Sequence, residues 1–352
     1  MINLNPFKTI YFVWERWGGG CTMGCYQPLL ACIESNINAR AISRGQLLGE
    51  IDKVKDSLIF IFKFKPTQNE INFLKNNNNT VLRYVGDGLI RNEINYHARM
   101  SNFDGIIVAS NAFKKIIDEN KNIKSLTTAI PANHDYFLEN KVYQKERHDS
   151  FNLFFGGSRD PSGIERQGEL GLSGHTYHEG YFHSLFYMYE NMKNQSEDNL
   201  RKYLINAKNC NHLKNLKNSF SNPSRYSCHY GVRSPIVFSV DGQKINYEQW
   251  VTKTGGKVST AAVCGSNIIT SLDPSVRELI DESYPYAIDT EDPDFIDNYQ
   301  EICSDMINKA KLTFGKKEWK EGLKIMNDVR EKTTTKKITN KYIEFGINCY
   351  QK

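Results

Sequence analysis

Along the first 140 residues, short apolar runs alternate with amphipathic segments. Residues 9–15 (TIYFVWE), 39–43 (ARAIS), 57–64 (SLIFIFKF), 80–85 (TVLRYV), 103–110 (FDGIIVAS) and 126–130 (LTTAI) are rich in β-branched and aromatic residues and predict strands. Between them, 28–34, 66–77 and 111–120 read as helices. In PTQNEINFLKNN, Pro66 stands near the start, and Ile71 and Leu74 are three apart, a spacing that shares one helix face. Strands alternating with helices predict parallel β-α-β units, hence a doubly wound α/β domain.

The polar stretch 141–150 (KVYQKERHDS) predicts a linker, and a second alternating pattern follows it. Strands are expected at 151–158, 235–240, 267–271 and 285–289, with helices at 181–189, 200–216, 257–264 and 275–282. From residue 294 onward the chain reads helical, over 295–310, 316–331 and 338–349. The expected architecture is therefore two Rossmann-like α/β domains, a first over 1–140 and a second over 151–315.

Composition narrows the class. At 352 residues, two domains are the natural division. With 39% hydrophobic and 24% charged residues, the chain does not have the composition of a disordered one. Lys and Arg number 45 against 40 Asp and Glu, so the net charge is +5. That bias is too slight for a dedicated nucleic-acid-binding domain and suits phosphorylated ligands or an anionic surface. No run of about 18 apolar residues occurs, so no transmembrane helix is expected. The start, with its short apolar run leading into charges and glycines, is not expected to be a signal peptide. The eight cysteines form no CxxC pair, which fits a reduced, cytoplasmic chain.

The segment 253–279, KTGGKVSTAAVCGSNIITSLDPSVREL, is the most informative. It reads as a glycine-containing loop, a short helix of small residues, a turn, a strand and a second helix. Small side chains at Ser259, Thr260, Ala261 and Ala262 permit close approach near the helix N-terminus, whose free N–H groups attract phosphate. Lys253 and Lys257 add charge. An ordinary helix packed on a sheet accounts for the same pattern.

This segment, Gly-Lys-x-Ser-Thr-Ala followed by Gly-x-x-Ile-Ile-x-Ser, resembles the donor-site segment of GT-B-type glycosyltransferases. The resemblance implies two Rossmann-like domains facing a cleft, with the final helices, 316–352, crossing back onto the first domain. It also implies a nucleotide-sugar donor bound by its diphosphate at Lys257, Ser259, Thr260 and Ala261, with Lys253 and Arg233 nearby, and no cofactor or metal beyond that co-substrate. One departure matters. Many retaining members of the group carry two glutamates eight positions apart, and here Thr252 and Thr260 stand in their places. The donor and the stereochemical outcome are thus not carried over.

Four further stretches offer chemistry. In RWGGGCTMGCY (16–26), Gly18, Gly19 and Gly20 let the backbone approach a ligand on the acceptor side, with Glu15 flanking; a tight structural turn needs the same residues. Asp87 in YVGDG and His97 are candidate general bases, as is His134, although a turn aspartate is also common between glycines. Gly157, Ser158 and Arg159 follow the first strand of the second domain, so they are expected to face the same cleft and to contact the donor's phosphate or nucleoside; a flexible turn needs the same residues. His175, His178 and His183 lack the carboxylate or cysteine set of a metal site. The function expected is transfer of a sugar from a nucleotide donor to a glycan or lipid-linked hydroxyl, in surface polysaccharide synthesis, at the cytoplasmic face of a membrane. A DNA-modifying glycosyltransferase, a nucleotide-sugar epimerase and a non-catalytic binding protein remain open alternatives.

Overall fold

The computed structural model describes residues 6–15, 22–62, 64–85, 100–133, 136–139, 149–155, 199, 223–233, 239–240, 244–245, 250–289, 292 and 294–352. In the first half, β1 (Thr9–Trp14), β2 (Ala39–Ser43), β3 (Ser57–Phe62), β4 (Thr80–Tyr84), β5 (Gly105–Val108) and β6 (Leu126–Ala129) form one sheet in the order β2-β1-β3-β4-β5-β6. Every pairing is parallel. The expected strands are present, trimmed at their ends.

The connecting helices are α1 (Gln27–Glu34), α2 (Arg44–Gly49), α3 (Gln68–Asn76) and α4 (Asn111–Glu119). Their starts are written locally. Ser43 and Gln46 form a capping box at α2, Thr67 and Glu70 form another at α3, and Ser110 accepts the Phe113 N–H at α4. The helix α2 had no counterpart in the hydrophobic pattern, because of its six residues only Leu47 is buried.

Both faces of this sheet are covered. Side chains alternate along β1 and β3. Phe12 and Phe60 pack with α1, while Tyr11, Val13, Ile59 and Ile61 pack with Leu47, Ile71 and Leu74 of α2 and α3.

The second half holds β7 (Leu153–Phe155), β8 (Cys228–Tyr230), β11 (Asn267–Ser271) and β12 (Ala287–Ile288) in a parallel sheet of order β12-β11-β8-β7. A small antiparallel pair, β9 (Ser239–Val240) and β10 (Lys244–Ile245), stands apart. Around the second sheet lie α5 (Gly256–Val263), α6 (Pro274–Arg277), α7 (Phe295–Thr313) and α8 (Lys317–Lys332). The last helix is α9 (Thr335–Tyr350).

The closing helices divide between the sheets. The helix α8 packs on α5 and β11, whereas α9 lies against α1, β4 and β5. Of the segment 316–352, then, only the part after residue 334 crosses to the first sheet. Glycines seat both helices. A Cβ at Gly322 would stand 2.6 Å from Asn267 Oδ1 in β11, and one at Gly346 would stand 2.5 Å from Leu58 Cδ1 in β3. Asn267 also donates to the Trp319 carbonyl at 3.0 Å, fixing α8 further. Of the expected linker, 141–150, residues 141–148 lie outside the described residues.

Candidate active site

In open parallel sheets, ligands bind beyond the carboxyl ends of the strands. At that edge of the second sheet, Arg233 follows β8 and Asp273 follows the neighbouring β11. Arg233 Nη1 lies 2.9 Å from Asp273 Oδ2, and Nη2 donates to the Thr254 carbonyl at 2.7 Å. Asp273 is 1% exposed. Its other oxygen accepts from Val276 N–H and Ser275 Oγ, capping α6. One carboxylate therefore ends a helix and holds an arginine at once. The arginine in turn ties down the turn that leads into α5.

That turn ends at Gly255, which carries no capping side chain. A Cβ there would come within 2.4 Å of Leu279 Cδ1, so the position has no room for a capping serine or aspartate. Gly255 therefore offers the first N–H groups of α5 no side-chain cap, and a helix N-terminus favours anions. Lys257 sits on this first turn, partly buried. Burial, and then the positive charge of Arg233, push its ammonium pKa down to about 8. With Asp273 engaged by Arg233 and by its own helix, the locality carries a surplus of positive charge.

The residues after Lys257 do something other than the sequence suggested. Ser259 is fully buried and donates to the Ala132 carbonyl, beyond β6 of the first sheet, at 3.0 Å. Thr260 Oγ1 donates back to the Gly256 carbonyl at 2.9 Å. Ala261 is fully buried among Val258, Ala262 and Ile268. The expectation that the Ser259 and Ala261 side chains face a ligand is corrected, since both are fully buried; Thr260 is partly exposed, with its hydroxyl turned back on its own helix. Val258, Ala261 and Ala262 pack into the core of the second sheet, and Val263 and Cys264 join the core of the first. Lys253, on the preceding turn, donates its N–H to the Trp250 carbonyl at 3.2 Å. Thr252, where the related pattern has a glutamate, is buried.

The start of α5 also abuts the first half. A Cβ at Gly256 would stand 3.5 Å from Met23 Cε and 3.9 Å from Ala132 Cβ. Met23 belongs to a π-helical turn, Thr22–Tyr26, which follows the glycine loop in the chain. At the opposite end of that loop, Glu15 pairs with Arg44 Nη1 at 2.5 Å, and Arg44 binds both oxygens of Glu70 at 3.0 Å. Glu15, Arg44 and Glu70 come from the connections after β1, β2 and β3, so this ion chain marks the carboxyl edge of the first sheet where the strand order reverses. Glu15 is thus held by a cation. Gly18, Gly19, Gly20, Asp87, His97, His134, Gly157, Ser158, Arg159, His175, His178 and His183 lie outside the described residues. Among the described residues, no three His, Cys, Asp or Glu side chains gather as a metal site, and no helix is long and apolar enough to cross a membrane.

Asp273, Thr254, Arg44 and Ala132 were not singled out from sequence. Asp-Pro-Ser is a readable helix start, but the arginine that Asp273 holds is 40 positions earlier and reaches it only through the sheet.

Two parallel α/β sheets meeting at their carboxyl edges, with a terminal helix returning to the first, are the GT-B glycosyltransferase fold. The solved structures that resemble the chain carry that fold. A glycosyltransferase from Rickettsia africae aligns with 98% of this chain and 99% of its own, at TM-score 0.57 and 10% identity. Anabaena Alr3699/HepE, solved with UDP-glucose, aligns with 96% of this chain and 98% of its own at TM-score 0.53 and 12% identity. A Thermosynechococcus elongatus sucrose-phosphate synthase aligns over 97% and 99% at TM-score 0.51 and 11% identity. No protein-family model and no curated protein sequence matches the chain.

Proposed function

We propose that this chain is a glycosyltransferase that moves a sugar from a nucleotide-diphosphate donor to a hydroxyl acceptor. One observation carries the reading: Lys257 and Arg233 converge beside the uncapped start of α5, at the carboxyl edge of the second sheet, in a GT-B fold. In this reading the donor diphosphate lies against the N–H groups of 256–258 and the Lys257 ammonium, and Arg233 supplies its remaining donors. As the glycosidic bond breaks, negative charge grows on the departing phosphate, and preorganised donors aimed there lower the barrier. Charge neutralisation by lysine, arginine and helix N–H groups makes the transfer independent of a metal or other cofactor.

The acceptor is proposed to enter from the first sheet, above the Glu15–Arg44–Glu70 chain, and to be a glycan or lipid-linked hydroxyl of a surface polysaccharide, worked on at the cytoplasmic membrane face. A base from that side, with Asp87 and His97 as the candidates, takes the acceptor proton. The HepE structures contain UDP or UDP-glucose, which makes UDP the first probe. The test is UDP titration of the purified chain, followed by hydrolysis or transfer from UDP-sugars with and without EDTA. Lys257→Ala is expected to weaken UDP at least about tenfold, equivalent to about 1.4 kcal/mol. UDP binding unchanged by that substitution overturns the site, and loss of turnover in EDTA overturns metal independence.

A further inference from the structure

The end of α6 reaches across to the first half of the molecule. Glu278, which closes α6, accepts hydrogen bonds from the Asn111 N–H, from Asn111 Nδ2 at 2.9 Å and from the Ala112 N–H at 3.4 Å. Asn111 and Ala112 open α4, whose own cap, Ser110, serves only the Phe113 N–H. The first two donors of α4 are thus satisfied by a carboxylate 167 residues away in sequence. Both partners lie at carboxyl edges, α4 after β5 and α6 after β11, so the contact spans the mouth between the sheets.

A second polar contact joins the halves, Ser259 to Ala132, and the two differ in character. Ser259 and Ala132 are buried, whereas Asn111 and Glu278 are exposed. A carboxylate at an exposed helix N-terminus is stabilised weakly and is screened by salt. Partial burial raises the Glu278 carboxyl pKa, opposing its three donors. Val251, ahead of α5, shares a buried apolar cluster with Phe113 and Ile117 of α4, so the permanent joint runs from Ala132 to the inner face of α4, and the exposed Glu278 contact at its rim suits a reversible closure.

We propose that Glu278 is an interdomain clasp: its carboxylate, seated on the start of α4, holds the two carboxyl edges together when no ligand bridges them, and the cleft opens by releasing it while α5 stays docked on Ala132. The clasp requires no particular substrate and stands apart from the glycosyl-transfer reading.

Asn111→Pro isolates the effect. Proline is favoured at the first helical position, and Ser110 before it is already extended (φ −149°, ψ 157°), so α4 persists while both Asn111 donors are lost. The experiment is small-angle X-ray scattering of the full chain at low and at 1 M salt, for wild type, Asn111→Pro, Glu278→Ala and Ser259→Ala. Wild type at low salt is expected near the compact radius of gyration, about 20 Å for a chain of this length. Asn111→Pro and Glu278→Ala are expected to be larger at low salt, wild type is expected to expand toward them at high salt, and Ser259→Ala is expected to melt earlier without expanding. Circular dichroism verifies folding. If one clasp variant does not fold, the other and the wild-type salt series still decide. Identical scattering for the folded clasp variants and wild type, or a wild-type radius unchanged by salt, overturns the clasp.

Discussion

Ser259 Oγ stands 3.0 Å from the carbonyl oxygen of Ala132, and that single bond joins the helix at the donor edge to the last strand connection of the first sheet. Ser259→Ala leaves a buried carbonyl without its donor, a loss of about 1–3 kcal/mol. Urea unfolding is expected to show the lower midpoint with an unchanged slope, while UDP affinity stays within about twofold of wild type, a difference under about 0.5 kcal/mol. A tenfold loss of affinity with no loss of stability is the outcome that returns Ser259 to the ligand.

Lys257 gives the site a pH dependence of known sign. Its ammonium is held down to about 8 by burial and by Arg233, below the ordinary lysine value. Folding therefore penalises the charged form. The penalty is absent above the unfolded pKa, grows as pH falls from there toward 8, and is complete below 8. A bound diphosphate opposes it by favouring the ammonium. UDP affinity should then be level between about pH 7 and 8 and fall roughly tenfold per pH unit above 8, one proton being taken up on binding. Calorimetry in buffers of different ionisation enthalpy checks the proton count. Lys257→Arg, which stays charged, is expected to remove the dependence.

Asp273 performs two tasks that substitution separates. Asp273→Ala removes both the α6 cap and the partner of Arg233, and loss of one member of a buried ion pair costs about 3–5 kcal/mol. Asp273→Asn keeps a capping oxygen and is expected to be the milder change by about 1 kcal/mol. Thermal unfolding of the two variants side by side measures the difference, and equal melting temperatures would mean that the cap contributes nothing.

Gly346 faces Leu58 with no room for a side chain. Gly346→Leu forces α9 away from the first sheet, at a cost of about 1–3 kcal/mol for overpacking. Limited proteolysis should cut the variant near residues 333–334, ahead of α9, faster than it cuts wild type. Gly315→Ala is the control: a Cβ there meets nothing within 4 Å, and the only strain is its left-handed backbone, φ 73°.

Much of the first sheet was legible because its strands are buried on both faces, and continuous apolar runs such as SLIFIF can be little else. The caps Thr67 and Ser110 are equally local signals, yet of these helix starts only the one at Pro66 was read from sequence. The donor edge was legible as a segment but misread in its parts. Ser259 and Ala261 were assigned to a ligand, and the structure gives Ser259 to the first half and Ala261 to the core of its own sheet: close packing and ligand approach select the same small side chains. Glu278 and Asp273 escaped notice because their partners, Asn111 and Arg233, approach only once both sheets are built. No periodicity encodes a contact of that kind.

The return of α9 to the first sheet also sets an order of events during synthesis. Thr335 N–H donates to Glu139 across 196 residues, and Phe60, Tyr84 and Tyr342 meet in one core. A ribosome adding about 5–20 residues each second needs roughly 10–40 s to travel from the one to the other. For that interval the nascent first sheet keeps part of an apolar face open, with Phe60 lacking Tyr342 and Leu58 lacking the helix turn at Gly346. Its completion waits until α9 has been made, and in a growing polypeptide this stretch is where chaperones are expected to bind.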